Sequence, residues 1–332
     1  MIEYELNSIP DVPIMPLNLP VLQAHHVQVS VLCLDQIDAH ASGNKYFKVL
    51  AHLDWIEQNK CRHVISFGGA YSNHVHALSV ACDELNRCRA EHERVQLTII
   101  VPQGQYEHTG VRPSATLLDA HRLGAVIRYV SRSEYRQRHS TDYLKQLSDD
   151  FEQAHVIAEG AMDALGYQGS HVLGAYVAKL MARWSDKQQA AIDWLMLPCG
   201  TTSTLMGMLH TLPSALSVLG VPVLKPSHYK DQLAQGCDAL PLKALPSWSI
   251  DETPHVTRYG QVNDQLRALA AESLQQCGIP LDPIYNVKVV QRLIDKVVYD
   301  GFAHRQHVLL MNTGGLQGAR GFDDWPVSIS HY

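Results

Sequence analysis

The stretch His63-Val-Ile-Ser-Phe-Gly-Gly-Ala-Tyr-Ser-Asn-His74 decides how this sequence folds. Its apolar run, residues 63–67, is short and ends on two glycines, which predicts a buried strand followed by a turn. Residues 72–85 then carry apolar side chains at helical spacing, so we predict a helix with Val75 and Leu78 on its inward face. A strand, a glycine turn and a helix in this order are typical of a parallel α/β sheet.

The same alternation continues along the rest of the chain. Further strands are predicted at residues 95–101, 126–130, 154–158, 194–198, 221–224 and 307–311, and helices at 114–123, 144–153, 166–184 and 286–300. We therefore expect an α/β protein with two open twisted parallel-sheet domains and helices on both faces of each sheet. Residues 46–157 are predicted to form a small domain, and residues 1–45 plus 158–332 a large domain.

The composition is that of an ordinary globular protein. Of the 332 residues, 46% are apolar and 18% charged, and the formal net charge is −6. No basic excess indicates nucleic-acid binding, and the apolar runs are too short to cross a bilayer. Residues 1–5 lack the basic start and apolar stretch of a signal peptide. We therefore expect a cytoplasmic protein that binds neither nucleic acid nor membranes.

The cysteines and histidines indicate neither disulfides nor a metal. The seven cysteines are odd in number and scattered without a Cys-x-x-Cys pair, which fits a reducing compartment. Among the nineteen histidines, the tightest groups are His25-His26 and His74-x-His76, and no His-Glu-x-x-His pattern occurs. Histidines solvated at the surface are the better interpretation, and we expect no metal site.

Two lysines occupy positions that charge rules disfavour. Residues 42–48, Ser-Gly-Asn-Lys-Tyr-Phe-Lys, are expected to begin a helix with Ser42 or Asn44 as its cap. A cation near a helix N-terminus is unfavourable, and Lys45 and Lys48 would also repel each other. Such crowding lowers a lysine pKa and makes the amine a usable nucleophile or base. A pair of solvated surface lysines is the alternative that the residues alone leave open.

Other segments place glycines and hydroxyl groups where ligands bind in parallel sheets, beyond the ends of strands. Ser72 and Asn73 open a helix after a glycine turn, where they can cap the helix or contact a ligand carboxylate or phenolate. The turn at residues 199–204, Cys-Gly-Thr-Thr-Ser-Thr, joins a strand to a helix and suits a phosphate group. An ordinary capped turn is the alternative. Weaker candidates are residues 259–260, 282–286 and 312–315.

In their order along the chain, these segments resemble the motifs of the 1-aminocyclopropane-1-carboxylate deaminase/D-cysteine desulfhydrase family. Its members are fold-type II pyridoxal-phosphate enzymes of the tryptophan-synthase-β class. The family's Gly-Asn-Lys-x-Arg-Lys and Gly-Gly-x-x-Ser-Asn-His motifs resemble residues 43–48 and 68–74. Its remaining motifs resemble residues 158–161, 200–204, 282–285 and 313–315. The resemblance covers almost the whole chain, from about Pro16 to about Gly318.

The resemblance implies an enzyme that binds pyridoxal 5'-phosphate in a cleft between a small domain and a large cofactor-binding domain. Lys45 would form the Schiff base with the cofactor aldehyde, Asn73 would bond the ring oxygen, and Thr313 or Asn286 would suit the ring nitrogen. The phosphate would be bound by Gly200, Thr201, Thr202, Ser203 and Thr204. The implied catalytic residues are Lys45, Ser72, Tyr259 and Tyr285. A small amino-acid substrate and a homodimer are also implied.

Departures from the family pattern favour one of its activities. Asn286 replaces an acidic residue of the cyclopropane deaminases, and Thr313 replaces their leucine, so both lean away from ring opening. We therefore expect α,β-elimination from D-cysteine, giving pyruvate, ammonia and hydrogen sulfide. Phe47 in place of an arginine, and Leu34-Asp35-Gln36 in place of Arg-Asp-Asp, leave room for a different substrate. The alternatives are a cyclopropane-carboxylate deaminase, a lyase on another D-amino acid, and a non-catalytic small-molecule binder.

Overall fold

Two β-sheets flanked by helices form the framework of the protein in a computed structural model. The structure describes residue 6 and residues 9–38, 41, 43–103, 114–151, 153–186, 191–223, 245–251 and 260–327. Two residues singled out from the sequence, Ser42 and Tyr259, lie outside the described residues.

The elements of the described residues follow one another as alternating strands and helices. The strands are β1 (Ile14–Pro16), β2 (Gln28–Cys33), β3 (His63–Phe67), β4 (Gln96–Pro102), β5 (Val126–Val130), β6 (Ala154–Ile157), β7 (Trp194–Cys199), β8 (Ser217–Pro222), β9 (Ser247–Ile250) and β10 (His307–Asn312). The helices are α1 (Pro20–Ala24), α2 (Asn44–Gln58), α3 (Asn73–Arg87), α4 (Ala115–Arg122), α5 (Arg132–Arg136), α6 (Thr141–Asp149), α7 (Ala164–Asp186), α8 (Ser203–Leu209), α9 (Asp264–Cys277) and α10 (Asn286–Asp300).

Both sheets are built almost entirely from parallel strands. The four-stranded sheet has the order β5-β4-β3-β6, and the six-stranded sheet has the order β1-β2-β10-β7-β8-β9. Among the described strands, only the edge strand β1 runs antiparallel, with Met15 opposite Val31 of β2. An antiparallel edge strand on an otherwise parallel sheet is common in large α/β folds. The early strand β2 pairs with the late strand β10, so distant parts of the chain share one sheet.

Alternate residues along the strands fill separate cores on the two faces of each sheet. In β10, Leu309 and Met311 pack with α7 and α8, whereas Val308 and Leu310 pack with α9 and α10. In β3, Val64 packs with α3 and α4, and its neighbour Ile65 faces the side covered by α6. Side chains that alternate between two buried faces require helices on both. The predicted fold class is confirmed.

Several predicted boundaries are wrong. The strand predicted at residues 221–224 is β8, which lies several residues earlier, because its ladder with β7 sets Val218 opposite Leu195. Gly220 and Pro222 hide this strand, since both residues weaken strand patterns. The helix predicted at residues 144–153 ends at Asp149. Strands β1, β2 and β9 and helix α9 carry no prediction at all.

The four strands of the smaller sheet lie between residues 63 and 157. Helix α2 packs against both α3 and the long helix α7. It therefore connects a helix beside the smaller sheet with a helix beside the larger sheet. The exact domain boundaries stay a prediction. Within the described ranges, no helix combines the length and the apolar character needed to cross a membrane.

Candidate active site

A cavity of about 390 Å³ lies where the carboxyl ends of the strands of both sheets meet. Its lining comes from the residues that follow β3, β5 and β6 in one sheet and β7 and β10 in the other. Parallel sheets bind ligands at this end because the loops there carry the open backbone groups and helix starts. The volume falls within the range of cofactor and substrate pockets.

The cavity brings together most of the residues selected from the sequence. Those that line it are Lys45, Ser72, Asn73, Gly200, Thr201, Thr202, Thr204, Tyr285 and Thr313. Ser203 is fully buried just behind this lining. Tyr259 lies outside the described residues.

Lys45 and Lys48 converge on one backbone oxygen. Lys45 Nζ lies 3.3 Å and Lys48 Nζ 3.1 Å from the carbonyl oxygen of Gly160. Lys48 is 0% exposed and also donates to Ser203 Oγ at 2.6 Å, so the surface-lysine alternative is wrong for it. Burial lowers the pKa of Lys45 to about 8. Burial and the neighbouring charge of Lys45 hold the pKa of Lys48 well below its usual range. A neutral amine is therefore accessible near neutral pH.

The start of α2 differs from the prediction of a Ser or Asn cap. Gly43 is the cap, with φ 78° and no side-chain hydrogen bond. A Cβ at Gly43 would lie 1.9 Å from the carbonyl oxygen of Thr313, so only glycine fits this close approach. Asn44 lies inside the helix and donates to Thr204 Oγ1 at 2.8 Å. This hydrogen bond connects α2, which carries both lysines, to the hydroxyl-rich turn at residues 199–204.

The hydroxyl-rich turn between β7 and α8 has one buried polar atom that no group of the described residues satisfies. Thr202 adopts a left-handed conformation with φ 51°, and its buried Oγ1 has no hydrogen-bond partner in the described chain. Thr201 Oγ1 lies 2.9 Å from Ser203 Oγ, which the Lys48 amine contacts. Buried polar groups are normally paired. An unpaired hydroxyl beside a cation therefore suits an anionic group such as phosphate.

Asn73 is held by a residue that the sequence did not single out. Its Oδ1 accepts a hydrogen bond from Gln317 Nε2 at 2.8 Å, which leaves its Nδ2 as the donor for a ligand in the cavity. Ser72 caps α3, and its Oγ accepts from the Val75 amide at 3.3 Å. Nothing in the sequence around Gln317 indicates this contact, because the two partners are 244 positions apart.

Thr313 and Asn286, the two candidates for the cofactor ring nitrogen, differ in whether they reach the cavity. Thr313 lines the cavity, whereas Asn286 is 3% exposed and lies behind it. The Asn286 amide donates to Asp282 Oδ1 at 2.6 Å and to the carbonyl oxygen of Gly314 at 2.9 Å. Its Oδ1 accepts from the Thr313 amide at 3.0 Å. Asn286 therefore orients the turn that carries Thr313, and Thr313 is the one of the two that faces a ligand.

His74 is a buried neutral side chain whose tautomer follows from its neighbour. The Ser66 hydroxyl donates to the carbonyl oxygen of Ile157 at 2.9 Å, so its single hydrogen is used. His74 Nε2, which is 2.8 Å from Ser66 Oγ, must then be the donor. Burial and the charge of Lys45 keep the His74 pKa well below its ordinary value. The surface interpretation of this histidine is wrong.

One wall of the cavity consists of Tyr135, Arg138 and Glu159, none of which the sequence indicated as a group. The Tyr135 hydroxyl donates to Glu159 Oε1 at 2.8 Å, and Arg138 Nε donates to Glu159 Oε2 at 2.7 Å. Glu159 lies in the segment that resembles a family motif, but its partners come from α5 and the residues directly after it. The tertiary fold, not sequence spacing, places them together, since β5 and β6 are opposite edges of the sheet.

The lowered pKa of Lys45 gives the first testable prediction. Only a neutral amine attacks an acylating reagent, so the labelling rate of Lys45 should rise with pH up to about 8 and then level off. A free lysine amine keeps gaining reactivity up to a pKa of about 10.4. Competitive labelling with acetic anhydride, read by mass spectrometry, compares Lys45 with the amine of an added lysine-containing reference peptide in one sample. Identical midpoints for Lys45 and the reference amine would contradict the burial of Lys45.

Comparison with known proteins agrees with the motif resemblance. No protein-family profile matches the sequence. A D-cysteine desulfhydrase of Serratia proteamaculans (strain 568) is 27% identical over 192 residues. This match covers 54% of the chain and 56% of that relative, so it spans little more than half of the relative's length.

Solved structures share the fold over nearly the whole chain. An ACC deaminase homologue superposes with a TM-score of 0.72 at 18% identity, covering 94% of this chain and 91% of that one. A hydrogen sulfide-producing enzyme from Fusobacterium nucleatum gives 0.60 at 13% identity, with coverage of 96% and 99%. An O-acetylserine dependent cystathionine beta-synthase from Helicobacter pylori gives 0.58 at 11%, with 96% and 97%. The resemblance stated from the motifs is confirmed, and these structures establish the fold.

Proposed function

Because the chain resembles the 1-aminocyclopropane-1-carboxylate deaminase/D-cysteine desulfhydrase family in sequence and shares its fold, we propose that it is a pyridoxal-phosphate-dependent lyase. We propose α,β-elimination from D-cysteine as its reaction, giving pyruvate, ammonia and hydrogen sulfide. The partners proposed with it are a small amino-acid substrate and a second copy of the chain.

The observation that carries this proposal is the pair of lysines beside the hydroxyl-rich turn. Lys45 lies in the cavity with a pKa lowered to about 8. Lys48 shares the Gly160 oxygen with Lys45 and also donates to Ser203 of the turn. Pyridoxal phosphate needs an amine for its aldehyde and donors for its phosphate. The hydroxyl of Thr202, which has no hydrogen-bond partner among the described residues, supplies one such donor.

The cofactor, when bound, supplies an electron sink for the carbanion formed at the substrate Cα. In our proposal Lys45 holds the cofactor, and its amine then takes the proton from Cα. A base whose pKa lies near the working pH is the most effective, which the burial of Lys45 provides. Lys48 stays in the wall, where its amine donates to Ser203 of the turn proposed to bind the phosphate.

The remaining roles follow from the lining of the cavity. Asn73 Nδ2 is proposed to donate to the cofactor ring oxygen, because Gln317 already occupies its Oδ1. Ser72, at the start of α3, is proposed to donate to the substrate carboxylate. Thr313 is proposed to face the cofactor ring, and Tyr285 the substrate, since both line the cavity. The role of Tyr259 rests on the resemblance alone.

D-cysteine added to the purified, cofactor-loaded protein should perturb the visible cofactor absorbance and release pyruvate. A panel with L-cysteine, other D-amino acids and 1-aminocyclopropane-1-carboxylate defines the substrate under the same conditions. Pyruvate formed fastest from D-cysteine supports the proposal. Faster formation of 2-oxobutyrate from the cyclopropane substrate would replace elimination by ring opening. Cofactor binding without turnover of any amino acid would indicate a binding protein.

A further inference from the structure

The guanidinium of Arg138 is fixed in the cavity wall from several directions. Arg138 Nε donates to Glu159 Oε2 at 2.7 Å, and Nη1 donates to the carbonyl oxygen of Tyr135 at 3.1 Å. The guanidinium carbon also lies 4.6 Å from the centre of the Tyr135 ring. A cation held by an ion pair, a carbonyl and an aromatic face has little freedom to turn. Its orientation is set before any ligand arrives.

This guanidinium keeps unused donors on the side of the cavity. A guanidinium has more N–H groups than these contacts use, and Arg138 Nη2 has no partner in the described residues. The Arg138 side chain is 22% exposed, and the residue lines the cavity. The two oxygens of Glu159 are each engaged, one by Arg138 and one by the Tyr135 hydroxyl. Glu159 therefore fixes Arg138 in place, and Arg138 offers its unused N–H groups to a ligand.

Arg138 and the residues proposed to bind the substrate line the same cavity. Arg138 follows β5 and Glu159 follows β6, and these strands are the two edges of the β5-β4-β3-β6 sheet. Ser72 and Asn73 follow β3, which lies between these edges. A substrate whose α-carboxylate meets Ser72 therefore shares its cavity with the Arg138 guanidinium.

The hydrogen-bond donors near this wall also favour an anion. Lys45 and Lys48 donate to the carbonyl oxygen of Gly160, the residue directly after Glu159. A planar guanidinium with adjacent free N–H groups binds an oxyacid group through two parallel hydrogen bonds. A thiol offers no such acceptor pair, so D-cysteine alone leaves this feature unused.

We propose that Arg138 is the side-chain specificity residue, and that among S-substituted D-cysteines the enzyme prefers those whose side chain ends in a carboxylate or another oxyacid group. This inference rests on the proposed function and extends its substrate class from D-cysteine to these derivatives. The reaction stays an elimination. The Cα proton goes to a base, the Cβ–S bond breaks with its electron pair on sulfur, and the thiolate leaves and is protonated. The aminoacrylate released adds water to give pyruvate and ammonia.

The test compares two substrates that break the same bond. S-carboxymethyl-D-cysteine and S-ethyl-D-cysteine have side chains of similar length, but only the first ends in a carboxylate. Pyruvate release by the cofactor-loaded enzyme should show kcat/KM roughly tenfold to a hundredfold higher for the carboxymethyl compound, the range of a charge-assisted hydrogen bond. In the Arg138→Gln variant this preference should disappear through a higher KM for the carboxymethyl compound. The Arg138→Lys variant should keep part of it.

Arg128→Gln is the matched control. Arg128 also makes an ion pair, with Glu134, but its side chain is 45% exposed and lies on β5 outside the cavity. The Arg128→Gln variant should keep the wild-type preference for the carboxymethyl compound over the ethyl compound. An unchanged preference in Arg138→Gln, or no preference in the wild type, would overturn the inference.

A readout without turnover separates this inference from the proposed function. D-glutamate, which cannot eliminate, should raise the Tm of the wild-type protein more than D-norvaline, which has the same chain length without the acid. The difference should vanish in Arg138→Gln, and equal shifts in the wild type would overturn the inference. If no compound of the panel gives pyruvate while this difference persists, the lyase assignment fails and the Arg138 site stands.

Discussion

Replacing Lys45 with alanine should abolish both the visible cofactor absorbance and pyruvate release. Lys45 is the amine that lines the cavity, and the variant removes the proposed attachment point and the proposed base together. Loss of a general base alone costs roughly a hundredfold to ten-thousandfold in rate. Absorbance spectra and pyruvate assays on the purified variant measure both effects.

Lys145→Ala is the control for this prediction. Lys145 pairs with Asp149 on an exposed face of α6, where its side chain is 73% exposed, so its removal should change neither readout. If the Lys45→Ala variant still forms a borohydride-reducible adduct, the assignment of Lys45 is wrong. Lys48 would then be the first lysine to examine.

Gly43→Ala should destabilise the protein by about 3–5 kcal/mol, among the largest effects of a single substitution. Gly43 has φ 78° and ψ −160°, a conformation essentially restricted to glycine. A Cβ there would also lie 1.9 Å from the carbonyl oxygen of Thr313. Because the clashing oxygen belongs to the backbone of Thr313, a change of side-chain rotamer cannot relieve the clash. Urea unfolding followed by circular dichroism measures the loss.

Gly301→Ala separates backbone strain from this clash. Gly301 ends α10 with φ 63°, and nothing lies within 4 Å of a Cβ built there. Only the left-handed conformation is then penalised, by about 1 kcal/mol. Similar losses for the two variants would contradict the close packing of Gly43 against the turn after β10.

The fold was largely predictable because its strands are short apolar runs between clear breakers. The run at residues 63–67 is β3 residue for residue, and the helix at 286–300 matches α10. Strand β8 was misplaced because Gly220 and Pro222 lie inside it. Its position is set by pairing with β7, a long-range contact that no local pattern contains.

The site was predictable in its motifs but not in its contacts. Helix-end rules and charge repulsion indicate a chemical role for Lys45 and Lys48, but surface lysines are so common that the residues alone leave the surface alternative open. Only the tertiary structure decides, because Lys48 Nζ reaches both Gly160 and Ser203 in the interior. Arg138 shows the same limit. It carries no motif, and only the tertiary fold brings it to Glu159.

The most direct test of the account is the position of the covalent adduct in the wild-type protein. The purified protein is incubated with pyridoxal phosphate, reduced with borohydride and digested, and the modified peptide is sequenced by mass spectrometry. We predict a single modified lysine, Lys45, in the peptide that contains Gly43 and Asn44. Modification of Lys48 instead, or no reducible adduct on either lysine, would contradict the account.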